Sequence, residues 1–129
     1  MSSYAFGKTV AMDFSAAVDK VTQELAKEGF GIISEIDMKQ KFHEKLHKEF
    51  RNYVILGACN PGLAYQAFGV ELNIGTLLPC NVALYSLSEG RTVVMIMDPV
   101  AALSLVGNDQ LTELAESVKQ SMQRVLRAL

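Results

Sequence analysis

The hydrophobic pattern changes period several times along the chain, and each change marks an element. Phe14, Ala17, Val18, Val21 and Leu25 recur at the spacing of one helix face. Asp13 precedes them as an N-cap and Gly29 follows as a C′ stop. Met38, Phe42 and Leu46 recur every four residues, which predicts a second helix over 38–49. The clearest stripe comes last: Leu111, Leu114, Ala115, Val118, Met122, Val125, Leu126 and Leu129 predict a long amphipathic helix. Between these, short apolar or alternating runs predict strands over 4–12, 32–36, 53–58, 82–87 and 91–97.

Turn chemistry places the remaining boundaries. Asn60-Pro61 and Asp98-Pro99 each set a capping side chain before a proline at the first helical position. Helices should therefore run from them to about Phe68 and to Leu105, where Gly107-Asn108 ends the second. Asn73-Ile74-Gly75 reads as a turn or a short helical piece. Ser88-Glu89-Gly90 joins the last two strands as a tight hairpin, so part of the sheet is antiparallel. The expected fold is a single α+β domain over residues 1–129. A mixed or antiparallel sheet is covered by helices in two layers. Its other face is left to cover, so a homodimer is expected.

Composition narrows the class. Twelve basic and fourteen acidic residues give a net charge of −2 with no basic cluster, so no nucleic-acid partner is expected. Lys and Glu alternate over 39–51, the pattern of a solvated helix face. No apolar run approaches the ~20 residues of a membrane helix, and the longest candidate, 93–106, is broken by Asp98-Pro99. The first residues lack the basic and apolar regions of a secretory leader. Two cysteines do not make a disulfide framework. The expectation is a cytoplasmic protein with reduced thiols and no membrane partner.

The candidate chemistry gathers at two corners. Cys59-Asn60-Pro61 closes one strand, and Pro79-Cys80-Asn81 opens another. A thiol just before a helix N-terminus sits where backbone N–H groups favour an anion. Free cysteine is also a common small core residue, and Asn60 is fully explained as a cap. If the corners meet, Cys59, Asn60, Cys80 and Asn81 would suit a small anion or polar ligand better than a hydrophobic one. Glu35 and Asp37 alternate about Ile36 and share one sheet face, where they would hold a cation, do acid–base work or face solvent. Asp37 also stands where it would cap the next helix.

His43-Glu44-Lys45-Leu46-His47 matches H-E-x-x-H, in which two histidines one helical turn apart share a zinc. Lys41, Lys45, Lys48 and Glu49 surround it with charge, and no third histidine exists. A catalytic zinc needs three protein ligands. A solvated helix face, with incidental metal pick-up by His43 and His47, is the expectation. No dinucleotide fingerprint, P-loop or nucleophile-elbow string occurs, and no cofactor is named by the sequence.

Tyr53-Val54-Ile55-Leu56-Gly57-Ala58-Cys59-Asn60-Pro61, Asn73-Ile74-Gly75 and Leu77-Leu78-Pro79-Cys80-Asn81-Val82 resemble the domain-of-unknown-function family 302. Glu28-Gly29-Phe30-Gly31, Glu35-Ile36-Asp37 and Met97-Asp98-Pro99 extend the likeness, which runs from about Tyr4 to Leu129. The resemblance implies a small homodimeric α+β domain with a fold like that of the TATA-box-binding protein. It implies no activity, and a shared fold does not carry DNA binding with it. Three functions stay open. The first is a homodimeric module binding a small polar ligand or metal at the Cys-Asn corners. The second is a thiol enzyme or redox protein using Cys59. The third is a structural interaction domain.

Overall fold

The computed structural model describes residues 3–129. Five strands form one antiparallel sheet in the order β1-β5-β4-β3-β2. They are β1 (Ala5–Val10), β2 (Gly31–Asp37), β3 (Tyr53–Cys59), β4 (Cys80–Ser88) and β5 (Arg91–Met97). Three α-helices alternate with the first strands, α1 (Phe14–Lys27), α2 (Met38–Leu46) and α3 (Pro61–Val70), and two follow β5, α4 (Pro99–Leu103) and α5 (Asp109–Arg127). Short 3₁₀ turns cover Leu72–Leu77 and Ser104–Val106. The two-layer α+β class holds, and of the two sheet types expected the antiparallel one is found.

Alternation along the strands decides which face is covered. Val54, Leu56, Val82, Leu84, Val94 and Ile96 point to one side and are buried. Against them lie Ala17, Val21 and Leu25 of α1 and Val118, Met122 and Val125 of α5. A second cluster sits beyond the sheet end: Ala67 of α3, Ile74, Leu103 of α4, and Leu111 and Ala115 of α5. Helix α5 spans both clusters and joins them. It is also clipped to the end of α1, where Arg124 donates to Glu28 at 2.8 Å.

Neither α1 nor α5 covers the opposite face, whose Tyr53 end is reached by α2 through Phe42 and Phe50. Ile36, Ile55, Ala83 and Met95 form a row across four strands, in register on that side. Next to the row, Tyr53 and Tyr85 stack with ring centroids 5.4 Å apart. Gly7 completes the row on β1, where an added Cβ would overlap the Val94 carbonyl and the Met95 side chain.

Local signals held at most termini. Gly29 has φ 84° and closes α1, with the Phe30 N–H bonding to the Leu25 carbonyl. This is the wrap-around bond of a Schellman stop. Asn60, Asp98 and Asn108 each accept backbone N–H bonds as N-caps. Asp13 occupies the N-cap position of α1 but makes no side-chain cap bond, so its carboxylate is not what starts that helix. The larger departure is α2. The expected helix to residue 49 stops at Leu46, because His47 turns left-handed at φ 56°. The H-E-x-x-H string therefore ends on the C-cap of α2: the His47 N–H still bonds to the His43 carbonyl at 3.0 Å, but the chain leaves the helix at His47 itself.

A non-glycine residue in the left-handed region carries strain that glycine does not. His47→Gly should therefore raise the chemical-denaturation midpoint, by up to about 1 kcal/mol in stability. An unchanged or lower midpoint would show that the φ of His47 stores no such strain.

Candidate functional site

Three of the sequence-predicted residues come together. Strand β3 runs antiparallel to β4 with Ala58 opposite Cys80, so the end of one and the start of the other share a rim. Cys59, Asn60 and Cys80 line a single cavity of about 210 Å³ there. It lies at the seam between the two hydrophobic clusters. Phe30, Ala58 and Val118 form the wall on the sheet side. Ala67, Leu103 and Leu114 form the wall on the far side. Phe68 and Ile33 stand at the opening, 40% and 64% exposed.

Each polar group of the corner is held by local chemistry. Asn60 caps α3, its Oδ1 accepting the Leu63 N–H at 3.1 Å. Its Nδ2 lies over Gly29, where an added Cβ would meet it at 2.9 Å. Gly29 thus serves both the turn after α1 and the seating of the Asn60 amide. Pro79 packs on Gly57 of β3, 2.7 Å from where a Cβ would be, and follows a cis Leu78–Pro79 peptide. The two thiols are unbridged; Cys59 is half-buried and Cys80 buried. Burial, with a smaller contribution from the neighbouring Cys59 thiol, pushes the Cys80 thiol up to about 11. Cys80 is therefore a neutral thiol at physiological pH and no nucleophile.

The lining differs from the expected polar pocket. Among the described lining residues, Asn60 and the two thiols are the only polar side chains, and none is charged. Their neighbours come from distant elements, which is why the corner strings alone suggested a more polar site. Asn81 is exposed and outside the cavity. Its position was legible, since Cys80, Val82 and Leu84 share the buried parity and Asn81 has the other. Sequence reasoning missed Phe30, which the pairing of Gly31 with Cys59 brings to the corner, and Leu103 and Val118, which the packing of α4 and α5 brings there.

The acids lie elsewhere. Glu35 and Asp37 share a face as expected, but on the exposed edge strand near the start of α1. Gly31 is opposite Cys59, so Asp37 is six residues along β2 from the corner, or about 20 Å at strand rise. Asp37 caps α2 by accepting the Gln40 N–H at 3.0 Å. His43 and His47 are exposed, with only His43 bordering a shallow surface hollow. No group of three or more His, Cys, Asp or Glu gathers within reach of one ion among the described residues.

Next to the cavity, Asp98 caps α4. Burial alone pushes its carboxyl up. The Lys119 ammonium at 2.9 Å and the N–H groups of Ala101 and Val100 outweigh that and hold it below the ordinary carboxylate value. The bond to Lys119 fixes α4 on α5, and with it Pro99 and Leu103 in the cavity wall.

Comparison with known proteins agrees with this architecture. The family model described as "Domain of unknown function DUF302" matches residues 6–129. A crystal structure of an uncharacterized conserved DUF302 protein from Bacillus stearothermophilus superposes with a TM-score of 0.89. That chain is 23% identical, and the match covers 98% of each chain. At that identity the likeness shows the fold. No curated protein is significantly similar to the chain.

Cys80 makes the site's pH dependence testable. An unperturbed thiol ionises near 9.0, whereas folded Cys80 does so near 11. The folded pKa is raised, so this group's contribution to stability is intact below pH 9 and is lost as pH rises through 11. A two-unit shift amounts to at most about 3 kcal/mol. Between pH 8 and 11, Cys80→Ala should lose less stability than the wild type in denaturant titrations. Equal losses in both proteins would refute a buried, neutral Cys80.

Proposed function

The chain belongs to the DUF302 family, and because that description assigns no activity, we propose its function from the site itself. The protein is a binding module that holds a small organic molecule in the cavity beside Cys59, Asn60 and Cys80. One observation carries this reading: the two corners meet around an open cavity of about 210 Å³ at the seam of the core. The same corner lacks the parts of a catalyst. Cys80 is held neutral, Asn60 Oδ1 is occupied as a cap, and no acid, base or cation lines the wall. A metal is the weaker form of the reading, since the two thiols have no third ligand beside them among the described residues.

The sheet face that α1 and α5 leave open supports a homodimer in which two copies close these faces together. The row Ile36, Ile55, Ala83 and Met95, with Val93 and the Tyr53–Tyr85 stack beside it, is apolar and in register. An apolar sheet face of this kind marks an interaction surface, and symmetric pairing is the commonest way for a chain to cover one. Reduced thiols are the form a cytoplasmic location would maintain.

A second reading is favoured by the difference between the thiols. Cys59 is half-buried at the cavity wall, whereas Cys80 is buried and held as the neutral thiol. A ligand or oxidant entering the cavity would meet Cys59, so the module would then act as a thiol-based enzyme or redox protein. Thiol titration before and after peroxide separates the readings, because only the second requires rapid loss of one titratable thiol.

Native mass spectrometry of the purified protein tests the binding role, the expected result being an added mass that denaturation releases. A species carrying no added mass, with no small molecule shifting the Cys59 or Leu63 amide resonances, would overturn it. Sedimentation tests the dimer: the wild type should run at twice 14.1 kDa. Ile55→Lys, which sets a charge in the middle of the apolar row, should run as a folded monomer. A wild type that stays monomeric at micromolar concentration sinks the pairing.

A further inference from the structure

We infer that the ligand of this cavity is a neutral, apolar molecule of about eight to ten non-hydrogen atoms, a fused ring or a short chain. The inference rests on the binding role proposed above and names the chemistry of what is bound. Size comes first. A cavity of about 150 Å³ takes up benzene, with its six carbons, so one of about 210 Å³ takes roughly eight to ten non-hydrogen atoms on the same scale.

Charge comes next. A carboxylate or phosphate entering the cavity would lose its water and find no cation, because no charged side chain is among the described lining residues. The helix that starts at the corner does not replace one. Pro61 has no N–H to offer, the Leu63 and Ala64 N–H groups are already bonded to Asn60 at 3.1 and 2.9 Å, and Gly62 is not among the described lining residues. Across the cavity, Asp98 before Pro99 is already paired with Lys119 at 2.9 Å, so that pair offers neither an anionic nor a cationic ligand an unpaired partner. The thiols of Cys59 and Cys80 add soft, weakly polar contacts that suit an apolar body.

The opening has matching character. Ile33 and Phe68, both large apolar residues left exposed, stand at its edge. From Asn60 to Pro79 the only charged residue is Glu71. A neutral apolar molecule therefore meets no charged barrier on the way in, and Phe68, with a ring 3.4 Å from where a Gly75 Cβ would stand, lies against the wall it must pass.

The test is an amide-resonance titration of the full chain with indole, 1-octanol and octanoate at pH 7.5. Indole and 1-octanol stand for the ring and the chain, and octanoate adds a charge to the same chain. The neutral probes should shift the Cys59, Leu63 and Val118 resonances saturably, with octanoate binding at least about tenfold more weakly. Ala64→Phe, which fills the cavity from α3, should abolish the shifts. Ala64→Leu, a gentler filling, should weaken them if the larger change perturbs folding, and Tyr65→Ala outside the cavity should leave them. Octanoate binding there as tightly as 1-octanol would overturn the neutral class while leaving the binding role standing. Silent probes, with a ligand nonetheless retained by the native protein, would also overturn the class alone. Silent probes with no retained ligand would overturn both.

Discussion

A one-residue slip of β4 against β3 would turn Cys80, Val82 and Leu84 out of the core and Asn81 into it. Nothing else in the fold forces the pairing of Ala58 with Cys80 so strongly. Both strands lie inside the sheet, and both present their alternate residues to α1 and α5. Burial of those residues fixes the register, and the register fixes the site. Once Ala58 faces Cys80, Cys59 and Pro79 stand beside each other at the rim. The chain must then leave β3 into α3 and return through Leu72–Leu77 to β4. The cavity is the space that this excursion encloses against the sheet end.

Most of the fold was legible because its signals are local. The α5 stripe, the caps at Asn60 and Asp98 and the glycine stop at Gly29 each act within a turn or two of chain, and each appears where expected. The failures have physical causes of a different range. His47 ends α2 although no glycine or proline announces it, so a helix-period pattern overran the true end. The apolar character of the site was hidden because its walls come from Phe30, Leu103 and Val118, residues far apart in sequence. The separation of Glu35 and Asp37 from the corners follows from the antiparallel order, which places Gly31, not Asp37, opposite Cys59.

The polar contacts around the cavity position more than they stabilise. Exposed ion pairs are screened by solvent and contribute little, so the Arg124–Glu28 bridge adds little to the core. An N-cap contributes about 1 kcal/mol, and Asp98 combines a cap with its bond to Lys119. Their effect is geometric. Asn60 sets the direction in which α3 departs, Asp98 sets α4 upon α5, and the two helices then stand as opposite walls that do not close on one another.

That failure to close is itself a costly feature in a chain of 129 residues. Residual cavity volume in a core costs about 24 cal/mol per Å³. An enclosed void of about 210 Å³ would therefore cost at most about 5 kcal/mol, comparable with the whole stability of a small domain. The opening past Phe68 and Ile33 reduces this by admitting water, but water gains few partners on a wall with one amide and two thiols. Larger side chains at Ala64 or Ala67 would fill the hollow, and both positions are alanine. A molecule that occupies the folded form alone stabilises it by mass action. Small residues on α3, an apolar wall and an open mouth are each unfavourable for an isolated fold. They become mutually consistent once the space is occupied, and this is the physical content of the proposed binding role.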